Sequence, residues 1–423
     1  MAPTRTKARQ ASPQPPEPKL TPAELIQRAT ALRPLLRARQ ADCEALGNVP
    51  ADVNAQLVQA GFYRTIQPRR FGGYEFDVPT FYRVMIEIAR GCAETGWVVA
   101  LTSGHPLVAA AFSEEAQCEV YGAAGEFRCP AAFTPPGKAI PVDGGYRISG
   151  AWPSASGIDH STHFVTMAAV ADDGASPGAP PRAVLVLFDR SQYQVRDDWQ
   201  VMGMQGTGSK TVVASDVFVP EHLTASTKGL GRVSDVTIRG PDLYSNPMYT
   251  ERIGPFLIGE TAAVAVGAAY GALDLYEEMM RTKAAPFPPH LERFKDPEFQ
   301  HHYGRALALT ATAEAALIRA GEDFMDYARE DAAGGAPFDD AREQRLTLIE
   351  LQSIQLAWEA VELIYRTAGT TAAVKQGQPI GRFFRNLAAI RTHPALQFDR
   401  TAMAAARTRF GVQQSGPGAG VGR

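Results

Sequence analysis

The stretch RISGAWPSASGIDHSTHF, residues 147–164, gathers hydroxyls, imidazoles and an indole within an otherwise apolar chain. Ser154 and Ser156 follow Trp152 and precede a glycine. Such serines can satisfy backbone groups in a turn after a strand, or offer a hydroxyl to a bound ring. His160 and His163, with Asp159, have the spacing of a metal pair. No third ligand set and no H-E-x-x-H helix accompanies them, so no metal site is expected and His160 is read as a hydrogen-bonding group at the wall of a β unit. A second hydroxyl-bearing stretch, Gly206-Thr207-Gly208-Ser209, precedes a strand-like run. As a bare motif it is a turn, but its glycines also let backbone N–H groups approach an anion or a ring oxygen.

Other candidates lie far apart in the chain. Trp97 sits in a helical run, and His105 follows Gly104 at its end. His393 closes RFFRNLAAIRTH, just before Pro394. An imidazole titrates near about 6.5 and can accept a phenolic proton or position a reacting oxygen. The plain alternatives are a core indole, a helix-end imidazole and a C-terminal helix histidine. Arg281 ends a long helical run, where an exposed arginine suits the helix dipole. Gly369-Thr370-Thr371 marks another helix end, and His301-His302 reads as a solvated pair.

Three zones must position these residues. Residues 21–126 read as helical, with Leu25, Ala29, Leu32, Leu36 and Ala41 near helical spacing. Residues 127–235 carry the strand-like runs YRISGAW, HFVTMAAV, RAVLVLF and TVVASDVFV, separated by Gly and Pro turn signals. Residues 236–412 return to long helical patterns with Ala and Gly on their inner faces, which permits close packing. The Pro-rich residues 1–20 and the segment 413–423 read as disordered tails.

Composition narrows the function. The 423 residues carry a net charge of −3, so no basic field for nucleic acid is expected. Cys43, Cys92, Cys118 and Cys129 form no CxxC pair, which fits a reducing cytoplasm rather than a zinc ribbon or disulfide framework. No secretory signal and no membrane span is read. No G-x-G-x-x-G opens a βαβ unit, so NAD(P)H binding by this chain is not expected.

Six segments carry a resemblance: PRRFGGYEFD, IARGCAETGWVVAL, HPLVAAAFSEEAQCEVYG, GGYRISGAWPSASGIDH, WQVMGMQGTGSKTVVASDVFVPEHL and PIGRFFRNLAAIRTH. In order and spacing they resemble the acyl-CoA dehydrogenase superfamily over about residues 22–411. More closely, the chain is similar to the two-component (group D) flavin-dependent monooxygenases, such as the oxygenase component of p-hydroxyphenylacetate hydroxylase. The resemblance implies an α+β fold: an N-terminal helical domain, a central β-barrel and a C-terminal four-helix bundle. It implies a monooxygenase that takes reduced flavin (FMN first, FAD second) from a separate NAD(P)H-dependent reductase. With O2 that flavin would form a C4a-hydroperoxide and hydroxylate an aromatic or heteroatom-bearing small molecule. A homotetramer is implied, with bundles packing across subunits.

The same resemblance gives roles to residues. Ser156, with Ser154 as the alternative, would face flavin N5; Trp97 would stand near flavin and substrate; His105 would line the substrate pocket. His393 would approach the substrate oxygen and the hydroperoxide. Thr207 and Ser209, in the T-G-S loop, would lie along the flavin, as would Gly369 and Thr370. Arg281 would face the flavin or its phosphate. Two departures stand out. Asn386 occupies a position where aspartate is usual, which leaves the support of its segment open. Ala131 and Ala132 stand where phenol hydroxylases can carry a serine, so a simple phenol is not the expected substrate. The rival reading is an acyl-CoA dehydrogenase-type dehydrogenase or oxidase. Against it, Ile390-Arg391-Thr392-His393-Pro394-Ala395 holds no carboxylate where those enzymes commonly keep their base. A non-catalytic binding member is the second rival.

Overall fold

Thr21 opens the first helix: its hydroxyl accepts the Glu24 N–H while the Glu24 carboxylate takes the Thr21 N–H, and Pro22 fills a position that needs no donor. The computed structural model describes residues 13–171, 182–227 and 240–412. The N-terminal zone holds α1 (Pro22–Ala38), α2 (Gln40–Leu46), α3 (Ala51–Ala60), α4 (Val78–Gly91), α5 (Ala93–Ser103), α6 (Pro106–Ala109) and α7 (Glu114–Tyr121). Most of the expected tails lies outside the described residues. Residues 13–20 are described, and there Glu17 pairs with Arg28 of α1 at 2.6 Å. A proline-rich stretch gives no sign of such a distant partner.

The β unit contains β1 (Ala131–Val142), β2 (Gly145–Ala155), β3 (His163–Val170), β4 (Ala183–Asp189), β5 (Gln194–Arg196), β6 (Lys210–Pro220) and β7 (Thr224–Thr227). They form one seven-stranded sheet in the order β5-β6-β2-β1-β3-β4-β7, antiparallel except for the β1–β3 pair. Trp152 is its hub, fully buried and in ring contact with Phe164 and Phe188. Gly137 and Gly150 make room for it: a Cβ there would lie 2.4 and 2.6 Å from the indole Cζ2. This tryptophan is core, and it leaves the hydroxyls beyond it for the site.

The C-terminal zone holds α8 (Gly240–Leu243), α9 (Gly254–Thr282), α10 (Pro297–Ala332), α11 (Asp340–Ala368), α12 (Thr370–Ala373), α13 (Pro379–Ile390) and α14 (Phe398–Phe410). Asp296 and Asp339 cap α10 and α11. Helix α9 is long and apolar enough to cross a membrane by length and composition, yet it is mostly buried between α4, α10 and α11. Its glycines fix the crossing with α4. A Cβ on Gly267 would stand 2.4 Å from the Ile86 carbonyl oxygen, and one on Gly271 would stand 2.6 Å from that of Arg90. These carbonyl oxygens are backbone atoms, which cannot turn aside.

Gly267→Ala should therefore push α4 from α9 and cost about 1–3 kcal/mol. Gly304→Ala, in open space on α10, should be neutral or stabilising by up to about 1 kcal/mol. Denaturant unfolding of the two variants measures both; equal midpoints would contradict the close-approach argument.

Candidate functional site

The segment between β5 and β6 is where three zones meet. Residues 202–209 have little regular structure, so their backbone groups need outside partners. Helix α13 supplies two: Asn386 Oδ1 accepts the Met204 N–H at 2.7 Å, and Arg385 Nε donates to the Met202 carbonyl at 3.1 Å. Gly203 allows that approach, since a Cβ would lie 2.2 Å from the Arg385 carbonyl oxygen. Helix α5 supplies a third: Glu94 Oε1 accepts the Gly206 N–H at 3.0 Å. From the turn after β2, the Gly157 N–H donates to the Thr207 carbonyl at 2.9 Å. Met204 and Gly208 turn the chain with φ of 60° and 52°.

The loop thus held delivers a row of side chains. Trp97 Nε1–H donates to Ser156 Oγ at 3.0 Å. Ser156 Oγ lies 2.7 Å from Ser209 Oγ, which lies 2.6 Å from Thr207 Oγ1. Thr207 Oγ1 donates to the Met204 carbonyl at 2.8 Å. The indole can only donate and the carbonyl can only accept, so the row has one consistent direction from Trp97 to Met204. Ser156, though 7% exposed, keeps one lone pair uncommitted.

His393 stands beside this row, its ring 6.2 Å from that of Trp97 at 65°. Its side chain is exposed, yet the protein packed beside the ring withholds enough water to push its pKa down. Its Nδ1 accepts the Ala395 N–H at 3.2 Å, so the neutral ring carries its proton on Nε2. An indole, a serine with an open acceptor and an imidazole N–H thus stand side by side.

Comparison with known proteins gives this arrangement its family. The acyl-CoA dehydrogenase N-terminal domain model matches residues 28–123, and the acyl-CoA dehydrogenase C-terminal domain model matches residues 260–398. The oxygenase subunit HsaA of a flavin-dependent monooxygenase from Rhodococcus jostii is 34% identical over 92% of this chain and 98% of its own. The chain belongs to the flavin-dependent monooxygenases of acyl-CoA dehydrogenase fold. The oxygenase component of a FADH(2)-dependent resorcinol hydroxylase from a Rhizobium species is 30% identical to this oxygenase over 96% of the chain and 98% of its own. The crystal structure of a 3-HSA hydroxylase from a Rhodococcus species superposes with a TM-score of 0.82 at 32% identity, covering 93% of this chain and 98% of that one.

Of the residues singled out in the sequence of this monooxygenase, Trp97, Ser156, Thr207, Ser209 and His393 come together. Ser154 does not join them: it is exposed, with φ of 65°, and its carbonyl accepts the Ser156 N–H. Arg281 is exposed and pairs with Glu277 at 2.7 Å. Gly369 and Thr370 lie exposed at the start of α12. None of these three reaches the row within one copy of the chain. Asn386 is no weak point, since its amide oxygen holds Met204 in place. His160 and His163 serve the scaffold through the Val49 carbonyl and Thr162 Oγ1.

His105 occupies a separate buried niche. Its Nδ1–H donates to the Cys129 carbonyl at 2.6 Å, which leaves Nε2 as a lone pair facing Glu260 Oε1 at 3.8 Å. Burial lowers the His105 pKa to about 4 and drives that of Glu260 well above the carboxylate range. Burial thus disfavours the charged form of both partners. Gly104 is required here, for a Cβ would fall 1.9 Å from Glu260 Oε2. Glu94 and Glu260 were not singled out from sequence. The available signal was a lone glutamate inside an apolar helical run, CAETGWVVA and ETAAVAVG.

Two consequences can be measured. A neutral native His105 means that the unfolded chain binds more protons between about 6.5 and 4, so stability falls as pH drops through that window. His105→Gln should remove up to about 3 kcal/mol of that acid-side slope, read from unfolding midpoints at pH 4.5 and 7. Asn386→Ala strands the Met204 N–H and should cost about 1–3 kcal/mol, with faster amide exchange at Met204.

Proposed function

We propose that this oxygenase takes reduced flavin, FMN or FADH2, from a separate NAD(P)H-dependent reductase and hydroxylates an aromatic or heteroatom-bearing small molecule. Bound reduced flavin supplies the splitting of dioxygen, one oxygen atom going to substrate and the other leaving as water. The observation that carries the reading is Ser156 at the head of the hydroxyl row, bonded to Trp97, whose ring adjoins that of His393. Trp97, Ser156, Thr207 and Ser209 would hold the isoalloxazine edge. The uncommitted lone pair of Ser156 would accept the ring N5–H and keep that proton in place. Ser156, rather than Ser154, is the serine with the burial this role needs.

His393 acts in this scheme as a donor. With Nδ1 occupied by the Ala395 N–H, its Nε2–H can point to an oxygen of substrate or oxidant, and Nε2 cannot also take a proton. Ala131 and Ala132 offer no hydroxyl to a phenol, in keeping with a substrate anchored elsewhere. Arg281, Gly369 and Thr370 find a use in a homotetramer, where exposed groups of one copy would reach the flavin of another. A cytoplasmic location fits the four unbridged cysteines. The dehydrogenase alternative needs a carboxylate base near the ring system. Segment 390–395 has none, and Glu94 is committed beneath the loop.

With a generic flavin reductase and a panel of hydroxylated aromatics, Ser156→Ala should raise the ratio of hydrogen peroxide to product roughly tenfold, the equivalent of one hydrogen bond of about 1.4 kcal/mol. His393→Ala should slow product formation about 10²–10³-fold. His393→Gln, which restores an N–H donor, should recover part of that loss; no recovery would point to a base instead. Acyl-CoA-driven dye reduction without any reductase would defeat the monooxygenase reading for this chain's own activity.

A further inference from the structure

We propose that Glu94 is a positioning residue that, as a neutral acid, fastens the loop 204–209 and with it the hydroxyl row, and that its ionisation loosens the loop. The proposal deepens the flavin-site reading and rests on it for its meaning in catalysis, though not for its test.

Glu94 and Trp97 lie one turn apart on α5 and so present neighbouring faces to the loop. Trp97 meets Ser156 at the head of the row, while Glu94 Oε1 takes the Gly206 N–H at its foot. The carboxyl is fully buried, at 0% exposure. Its Oε2 has no hydrogen-bond partner among the described residues and lies 2.9 Å from where a Gly206 Cβ would be. Gly206 is thus a glycine because the carboxyl and Cys43 fill the space beneath it.

The charged and titratable groups around Glu94 do not balance a negative charge. Helix α2 brings Cys43 and Glu44, the start of α5 brings Cys92, and α13 brings Arg382. Arg382 and its neighbour Arg385 are both engaged by Glu44, at 2.9 and 2.7 Å. An anion at Glu94 would have one backbone N–H and no cation in contact. Burial, followed by repulsion from Cys92, accordingly raises its pKa to about 8. A buried carboxylate so poorly matched must find water, and the covering layer with the least regular structure is the loop itself. Because the native carboxyl keeps its proton far above the unfolded value of about 4.5, stability contributed at this site is greatest at low pH and declines as pH rises toward 8.

The test uses the full-length protein without flavin. Hydrogen exchange of the peptide containing residues 203–209, corrected for the chemical exchange rate, should quicken about tenfold between pH 7 and 9 as the ionised fraction rises from about one tenth to nine tenths. Glu94→Gln keeps a carbonyl for the Gly206 N–H and cannot ionise, so its exchange should stay flat. Glu94→Ala should exchange fast at every pH. The anaerobic Kd for reduced FMN, taken as the ratio of wild type to Glu94→Gln, should rise about tenfold over the same range, which cancels the flavin's own titration. A flat wild-type exchange profile overturns the proposal whatever the variants do, as does a parallel rise in Glu94→Gln. Failure to hydroxylate at pH 7 with unchanged exchange results would instead count against the monooxygenase reading.

Discussion

Met204 and Gly206 each offer one buried backbone N–H, and the site depends on where those two hydrogens go. One enters the amide oxygen of Asn386 and the other the carboxyl of Glu94. Loop segments are poor at satisfying themselves, and a buried donor without a partner costs about as much as a typical destabilising mutation. The loop is therefore placed by helices from both ends of the chain. Its own glycines at 203 and 206 let those helices come close. Thr207 and Ser209, which complete the row that begins at Trp97, inherit their position from these contacts.

The scaffold shows the same logic on a larger scale. The α4–α9 crossing is set by glycines facing carbonyl oxygens, and the sheet is set by glycines facing the Trp152 ring. Both are contacts between rigid groups. The helical zones and the sheet are thus fixed with little slack, and the irregular segment between β5 and β6 is where they converge. A site built there draws precision from three elements while remaining the most easily opened part of its surroundings.

Much of this was legible in the sequence. The three zones followed from hydrophobic periodicity and turn residues, and the hydroxyl row came from two short motifs, W-P-S-A-S-G and G-T-G-S, with Trp97 and His393 added by family likeness. What was not legible depended on distance through space. That Ser156 rather than Ser154 is turned inward is a matter of backbone conformation, with Ser154 at φ of 65°. Asn386 looked like a loss because sequence shows a missing charge, whereas the loop needs only an acceptor. Glu94 and Glu260 looked like ordinary helix residues because helix patterning does not report that a glutamate's neighbours are all apolar or already paired. His393 was expected as a base or a positioner, and the sequence does not show that the Ala395 N–H occupies its Nδ1.

The one-way order of the hydroxyl row has an outcome for proton traffic. A relay that conducts must be able to turn every hydroxyl around. Here Thr207 is anchored to the Met204 carbonyl, which also receives the Trp199 indole hydrogen at 2.9 Å, and Trp97 closes the far end with a group that cannot accept. The row is a cul-de-sac: a hydrogen presented to Ser156 meets an oxygen ready to hold it, and the row itself ends at a carbonyl that cannot pass a proton on.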